Sequence, residues 1–216
     1  AVREIERWAG HPYFAQVAVP LQSLFPYGHR QFLSIWEAAA RHDLPVAIHA
    51  DGGASVDLPP TPAGFVTHFA EYSAYYRLNG FFHLVSLIAE GVFERFENLK
   101  FVFADGGFDS LAPLMWRMDK NWRPTRHETP WLRQLPSAYL RDHVRFCAHR
   151  LEGPRDPAQL AEWLEIGDGE HLLLFASNYP TWDSFEPAGA LADIPEATRR
   201  RIMGENARAL YRLPGE

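Results

Sequence analysis

Apolar residues fall along this chain in two alternating patterns. The first consists of short runs of strand length: AQVAV (Ala15–Val19), VAIH (Val46–His49), KFVFA (Lys100–Ala104), VRFCA (Val144–Ala148) and LLLFA (Leu172–Ala176). Runs this short and continuous, closed by Pro, Gly or polar residues, are the mark of strands buried on both faces. The second pattern is helical. Gln31–His42 places Phe32, Leu33, Ile35, Trp36 and Ala39 on one stripe, and Asp109–Trp122 does the same with Leu111, Leu114, Met115, Trp116 and Met118. Phe65–Phe96 reads as helix in two pieces divided near Asn79-Gly80, and Pro136–Asp142, Pro157–Ile166, Pro195–Met203 and Glu205–Leu210 add shorter helices. Asp51–Gly64 is a Gly/Pro-rich loop, Arg123–Gln134 a polar surface excursion, and the opening AVREIERWAGHP reads as the end of a helix. Short apolar strands alternating with helices predict an α/β fold with a parallel sheet covered on both faces.

Composition narrows this picture. A chain of 216 residues, 47% of them hydrophobic, can bury one substantial core, so residues 1–216 are expected to form a single domain. Its 21 basic and 27 acidic residues are spread along the sequence, and without a Lys/Arg-rich block an electrostatic nucleic-acid site is excluded. Arg199-Arg200-Arg201 lies in an amphipathic segment and reads as a solvated helix face. The single cysteine, Cys147, cannot close an internal disulfide and sits in an apolar run. It reads as core, not as a nucleophile, and suits a reducing cytoplasm. No apolar stretch reaches the ~18 residues of a membrane span, and the opening residues lack a signal peptide's apolar run, so a cytoplasmic protein is expected.

Candidate chemistry lies at the strand ends. In parallel α/β folds reactive side chains gather where the strands point. The five predicted strands end at Pro20, His49, Asp105, His149 and Asn178. Four of these are polar, which a purely structural sheet would not need.

Several stretches carry a family resemblance. HPYFAQVAVP, LPVAIHA, GVFERFENLKFVFADGG, LLLFASNYP and IMGENARALYRL occur in the order and at the spacing seen in the amidohydrolase-related family, in the branch that includes aminocarboxymuconate-semialdehyde and resorcylate decarboxylases. Together they cover nearly the whole chain, and GGFDSLAPLMWRMDKNW resembles a subgroup with an acidic residue before the Gly-Gly pair. The resemblance implies an incomplete TIM-like (β/α)₈ barrel in which this chain supplies strands four to eight. The strand-one His-x-His motif is not present. Five strands cannot close an eight-stranded barrel, so an upstream segment, another polypeptide or a capping partner, and with it an oligomer, is expected to complete it. A closed five-strand rearrangement is the alternative.

The resemblance also implies a metal-dependent hydrolase or non-oxidative decarboxylase of a small carboxylated or aromatic metabolite, using zinc or manganese. His49 matches the family's strand-five ligand. Asp105 stands where a strand-six histidine is usual, as ligand or proton carrier, and Asn178 stands where the strand-eight aspartate is usual. An asparagine offers a neutral carbonyl and no proton acceptor, so the metal site reads as altered. Asp105 and Asn178 are the catalytic candidates, His49 and Asp105 the metal candidates, and Tyr179, Trp182, His149 and His83 the pocket candidates. Each has a plainer reading: a core histidine for His49, a helix cap for Asp105, a turn for Asn178, pocket lining or surface for His149, and a helix face for His83 and His68. Two other functions stay open, a non-catalytic subunit that completes an active relative's barrel and a metal-free small-molecule binding module.

Overall fold

The structure, a computed structural model, describes residues 1–50, 58–149, 151, 153–181, 184 and 191–213. Trp182 lies outside the described residues. Five strands, β1 (Val17–Pro20), β2 (Val46–His49), β3 (Phe101–Phe103), β4 (Val144–Cys147) and β5 (Leu173–Leu174), form one sheet in chain order. All four pairings are parallel, with Val46 opposite Val17 and Phe101, and Phe146 opposite Phe103 and Leu173. The edges are β1 and β5, so the closed five-strand arrangement is not formed among the described residues. Pro20 ends an edge strand, where its missing N–H costs nothing, and Leu21 resumes the ladder by donating to the His49 carbonyl.

The helices are α1 (Val2–Trp8), α2 (Leu33–Arg41), α3 (Phe69–Tyr75), α4 (Asn79–Ala89), α5 (Val92–Arg95), α6 (Leu111–Thr125), α7 (Leu140–His143), α8 (Pro157–Ile166), α9 (Gly169–Leu172), α10 (Glu196–Arg200) and α11 (Asn206–Tyr211). Local chemistry sets several of their ends. Asp156 accepts the Ala158 and Gln159 N–H groups at 3.0 and 3.1 Å, with Pro157 as the first helical residue of α8. Glu71 reaches back to the Thr67 and His68 N–H groups and fixes the start of α3.

Strand alternation gives the sheet two unlike faces. Val46, Ile48, Phe101, Phe103, Val144, Phe146 and Leu173 join the main core with Trp36, Leu84 and Leu87. The other face carries a smaller apolar cluster, Ala47, Val102 and Leu174, beside Cys147. Ala207 and Leu210 of α11 pack there, and the Tyr211 hydroxyl donates to Gln16 Oε1 at 2.8 Å. In a closed barrel this second face would line the interior. Here the chain's own last helix covers part of it.

The differences from the expected elements are local. The long helical stretch breaks at a 3₁₀ turn, Tyr76–Leu78, and again at Gly91, so Asn79 begins α4. The two tail helices are one continuous run through a π-type turn, Arg201–Glu205, which delivers the Ile202 carbonyl to the Phe175 N–H. β5 is shorter than the LLLFA run because Leu172 completes α9.

Candidate active site at the carboxyl rim

Because all five strands run the same way, their carboxyl ends share one rim. β2 ends on His49, whose side of the strand end is exposed. Two residues past β3, Asp105 is 8% exposed, and its Oδ2 accepts the Ala50 N–H at 2.6 Å. That bond ties Asp105 to the residue following His49 and makes the two neighbours across adjacent strands. Gly106 holds the turn in the left-handed region (φ +84°), and a Cβ there would stand 3.0 Å from the His149 carbonyl. The Asp105 loop and the end of β4 are thus in backbone contact.

The surroundings of Asp105 can be read from the groups that sense its charge. Burial raises the Tyr72 phenol above its usual range, the Asp105 carboxylate adds to the rise, and the Gln22 side chain opposes it. Burial likewise pushes the Cys147 thiol up to about 12, and the Asp105 charge reinforces it. Cys147 is therefore a protonated thiol and a poor nucleophile, as its apolar run implies. Tyr72 and Cys147 both stand near Asp105, and Gln22 stands beside Tyr72.

The other candidates differ in their surroundings. His149 is buried, just beyond β4. Asn178 adopts φ +56°, and its carbonyl accepts both the N–H and the hydroxyl of Thr181, at 2.9 and 2.5 Å. It lies in the loop after β5, two strands along the sheet from β3. Tyr179 is 83% exposed and presents its ring to solvent. His83 lines a cavity beside the segment after β1, as a pocket residue would, but it is buried on α4 with both ring nitrogens engaged by main chain. Nε2 donates to the Leu21 carbonyl at 2.8 Å, Nδ1 accepts the Tyr27 N–H at 3.2 Å, and the ring stacks on Tyr27 at 4.2 Å. Burial keeps its pKa below the usual value, so it is a neutral clamp on the segment after β1.

Metal ligation is limited by donor number. Zinc needs at least three protein ligands and manganese or magnesium more oxygen donors. Among the described residues no three His, Cys, Asp or Glu side chains gather to hold an ion. His49 and Asp105 make a pair of donors and do not by themselves form a metal site.

Against known proteins, the sequence profile described as "Amidohydrolase" matches residues 1–213. The chain belongs to the amidohydrolase family. A search of curated proteins finds no match. Among solved structures, 5-carboxyvanillate decarboxylase from Sphingomonas paucimobilis superposes with a TM-score of 0.72 at 24% identity, over 99% of this chain and 63% of that one. An amidohydrolase from Mycobacterium avium subsp. paratuberculosis gives a TM-score of 0.74 at 21% identity, over 97% of this chain and 54% of that one. A dihydroxybenzoic acid decarboxylase from Polaromonas, with bound manganese and 2-nitroresorcinol, gives 0.66 at 20% identity, over 100% of this chain and 66% of that one. At these identities the likeness is one of fold. This amidohydrolase-family chain spans between 54% and 66% of the three solved chains.

Two residues of the rim escaped the sequence reading. Gln22 stands just past the end of β1, in the same kind of position as His49 and Asp105, and the strand-end rule extended by two residues would have found it. Tyr72 carries no such signal, since it comes from α3, far from any strand in sequence.

Proposed function

We propose that the chain forms the substrate-facing and proton-handling side of an amidohydrolase-type enzyme that decarboxylates or hydrolyses a small aromatic carboxylate. One observation carries this reading: a buried carboxylate, Asp105, stands at the end of the central strand with Tyr72 and Cys147 in its field and His49 at the neighbouring strand end. Non-oxidative decarboxylation of a hydroxybenzoate requires a proton at the ring carbon that bears the carboxylate. The C–C bond then breaks, its electron pair restores the aromatic ring, and carbon dioxide leaves. Asp105 is the group assigned to hold and move that proton, and His49, exposed at the rim, meets the substrate carboxylate. The decarboxylases among the fold relatives favour this reaction over hydrolysis. A divalent cation enters only if donors beyond the described residues complete the pair His49 and Asp105.

A second reading is a non-catalytic subunit that completes the barrel of an active partner. Among the described residues the sheet keeps two unpaired edges and the donor set is short, and both favour it. Carbon dioxide release from 5-carboxyvanillate and 2,6-dihydroxybenzoate, measured with and without manganese, decides between them. Turnover that falls at least about 100-fold in Asp105→Asn supports the enzyme. No turnover, with a stoichiometric second polypeptide in native mass spectra, supports the subunit. Neither turnover nor partner would sink both.

A further inference from the structure

A cavity of about 330 Å³ opens beside the rim, between the segment after β1, residues 58–62 and the first turns of α4. Its walls are largely apolar, with Leu21, Leu24, Leu58, Pro62 and Phe82 among them, and among the described residues no Asp, Glu, Lys or Arg lines it. Most of its polar groups are already engaged. His83 clamps main chain, Asn79 Nδ2 donates to the Pro60 carbonyl at 2.6 Å, and the Thr61 hydroxyl donates to the Gly64 carbonyl at 3.0 Å.

Gln22 is different. It is 6% exposed, and neither its amide nitrogen nor its carbonyl oxygen has a hydrogen-bond partner among the described residues. The Tyr72 hydroxyl stands near enough to be influenced by it, without a bond of acceptable geometry closing between them. A buried amide left this way destabilises the fold unless something else uses it. It lines the cavity, one residue from Leu21, whose N–H is bonded to the His49 carbonyl at 2.8 Å.

We propose that this cavity is the recognition subsite for the neutral, hydroxyl-bearing end of an aromatic substrate, with Gln22 as its specificity residue. The inference rests on the reading of the rim as a site for aromatic carboxylates. The carboxylate lies at the His49 and Asp105 end and the ring reaches toward β1. The cavity has room for the ring, since a dry cavity of roughly 150 Å³ already holds benzene. An anionic substituent is disfavoured because none of the described lining residues is a cation. A hydroxyl both donates and accepts, as a primary amide does, and so satisfies both orphaned atoms of Gln22.

The test uses two neutral probes, phenol and toluene, titrated into the full chain and followed by calorimetry or ligand-observed NMR. The unaltered protein is expected to bind phenol more tightly than toluene. Gln22→Met, of similar length, is expected to weaken phenol about tenfold, the effect of one hydrogen bond, while toluene binds at least as well. Its melting temperature is expected to hold or rise, because two buried polar atoms without partners are gone. An unchanged phenol-to-toluene ratio overturns the proposal, as does an unaltered protein that prefers toluene. A Gln22→Met variant that melts earlier or fails to fold also overturns it, since Gln22 would then be a structural residue. Neither probe carries a carboxylate, so the subsite can stand where carbon dioxide release is absent. Release that is indifferent to Gln22→Met sinks the subsite alone.

Discussion

Replacing His83 with phenylalanine separates a structural histidine from a catalytic one. The ring and its stack on Tyr27 are kept, while the donor to the Leu21 carbonyl and the acceptor for the Tyr27 N–H are lost. Each buried main-chain group left without a partner costs about 1–3 kcal/mol. Leu21 and His83 line a cavity that water can enter, so the low end applies and the pair costs about 2–3 kcal/mol. For a chain of this size that lowers the melting temperature by about 5–10 °C. The pH dependence gives a second signature. Burial holds the native His83 pKa below the 6.5 at which the unfolded chain takes up its proton. The unfolded state therefore binds more protons between the two values. The contribution is fully present above 6.5 and is lost as pH falls toward the native value. Urea unfolding of the parent and of His83→Phe, from pH 7.5 down to 5, measures both effects. The parent should lose more stability on acidification than the variant. His143, whose pKa burial also lowers, leaves both proteins a shared residual slope. A variant with the parent's melting temperature, or with the same acid sensitivity, would refute the clamp.

Three further outcomes follow from the rim. Asp105→Asn removes the charge that raises Cys147, so the thiol should react with iodoacetamide at lower pH than in the parent, although burial still keeps it above the free-cysteine range; an unmoved profile would place Asp105 away from Cys147. Asn178→Asp fits the left-handed backbone there, which Asp tolerates. By adding a third donor to the pair His49 and Asp105 it should confer manganese binding in thermal-shift titrations, and no change would show that Asn178 does not share a site with them. Gly106→Ala meets both a left-handed backbone and the His149 carbonyl 3.0 Å away. It should cost about 1–2 kcal/mol in urea unfolding, and a variant as stable as the parent would mean that the turn relaxes freely.

The sheet was legible from the sequence because its strands are buried on both faces. VAIH and the cores of KFVFA, VRFCA and LLLFA need no tertiary information to be recognised, and their order along the chain is their order in the sheet. His49 and Asp105 were legible for a related reason: in a parallel sheet the end of each strand has only one place to be. Strand limits shifted by a residue or two where capping groups or a helix claimed the terminal residues, as Leu172 shows.

What the chain alone could not reveal is everything set by the approach of elements distant in sequence. His83 looks the same on a helical wheel whether it faces solvent or two main-chain groups 56 and 62 residues away. Tyr72 becomes a neighbour of Asp105 only when α3 is laid over the rim. Gln22 is an ordinary loop glutamine until the packing of α4 and residues 58–62 closes a cavity around it. Periodicity records which side of an element is apolar; which polar atoms are then stripped of water is decided only when the faces meet.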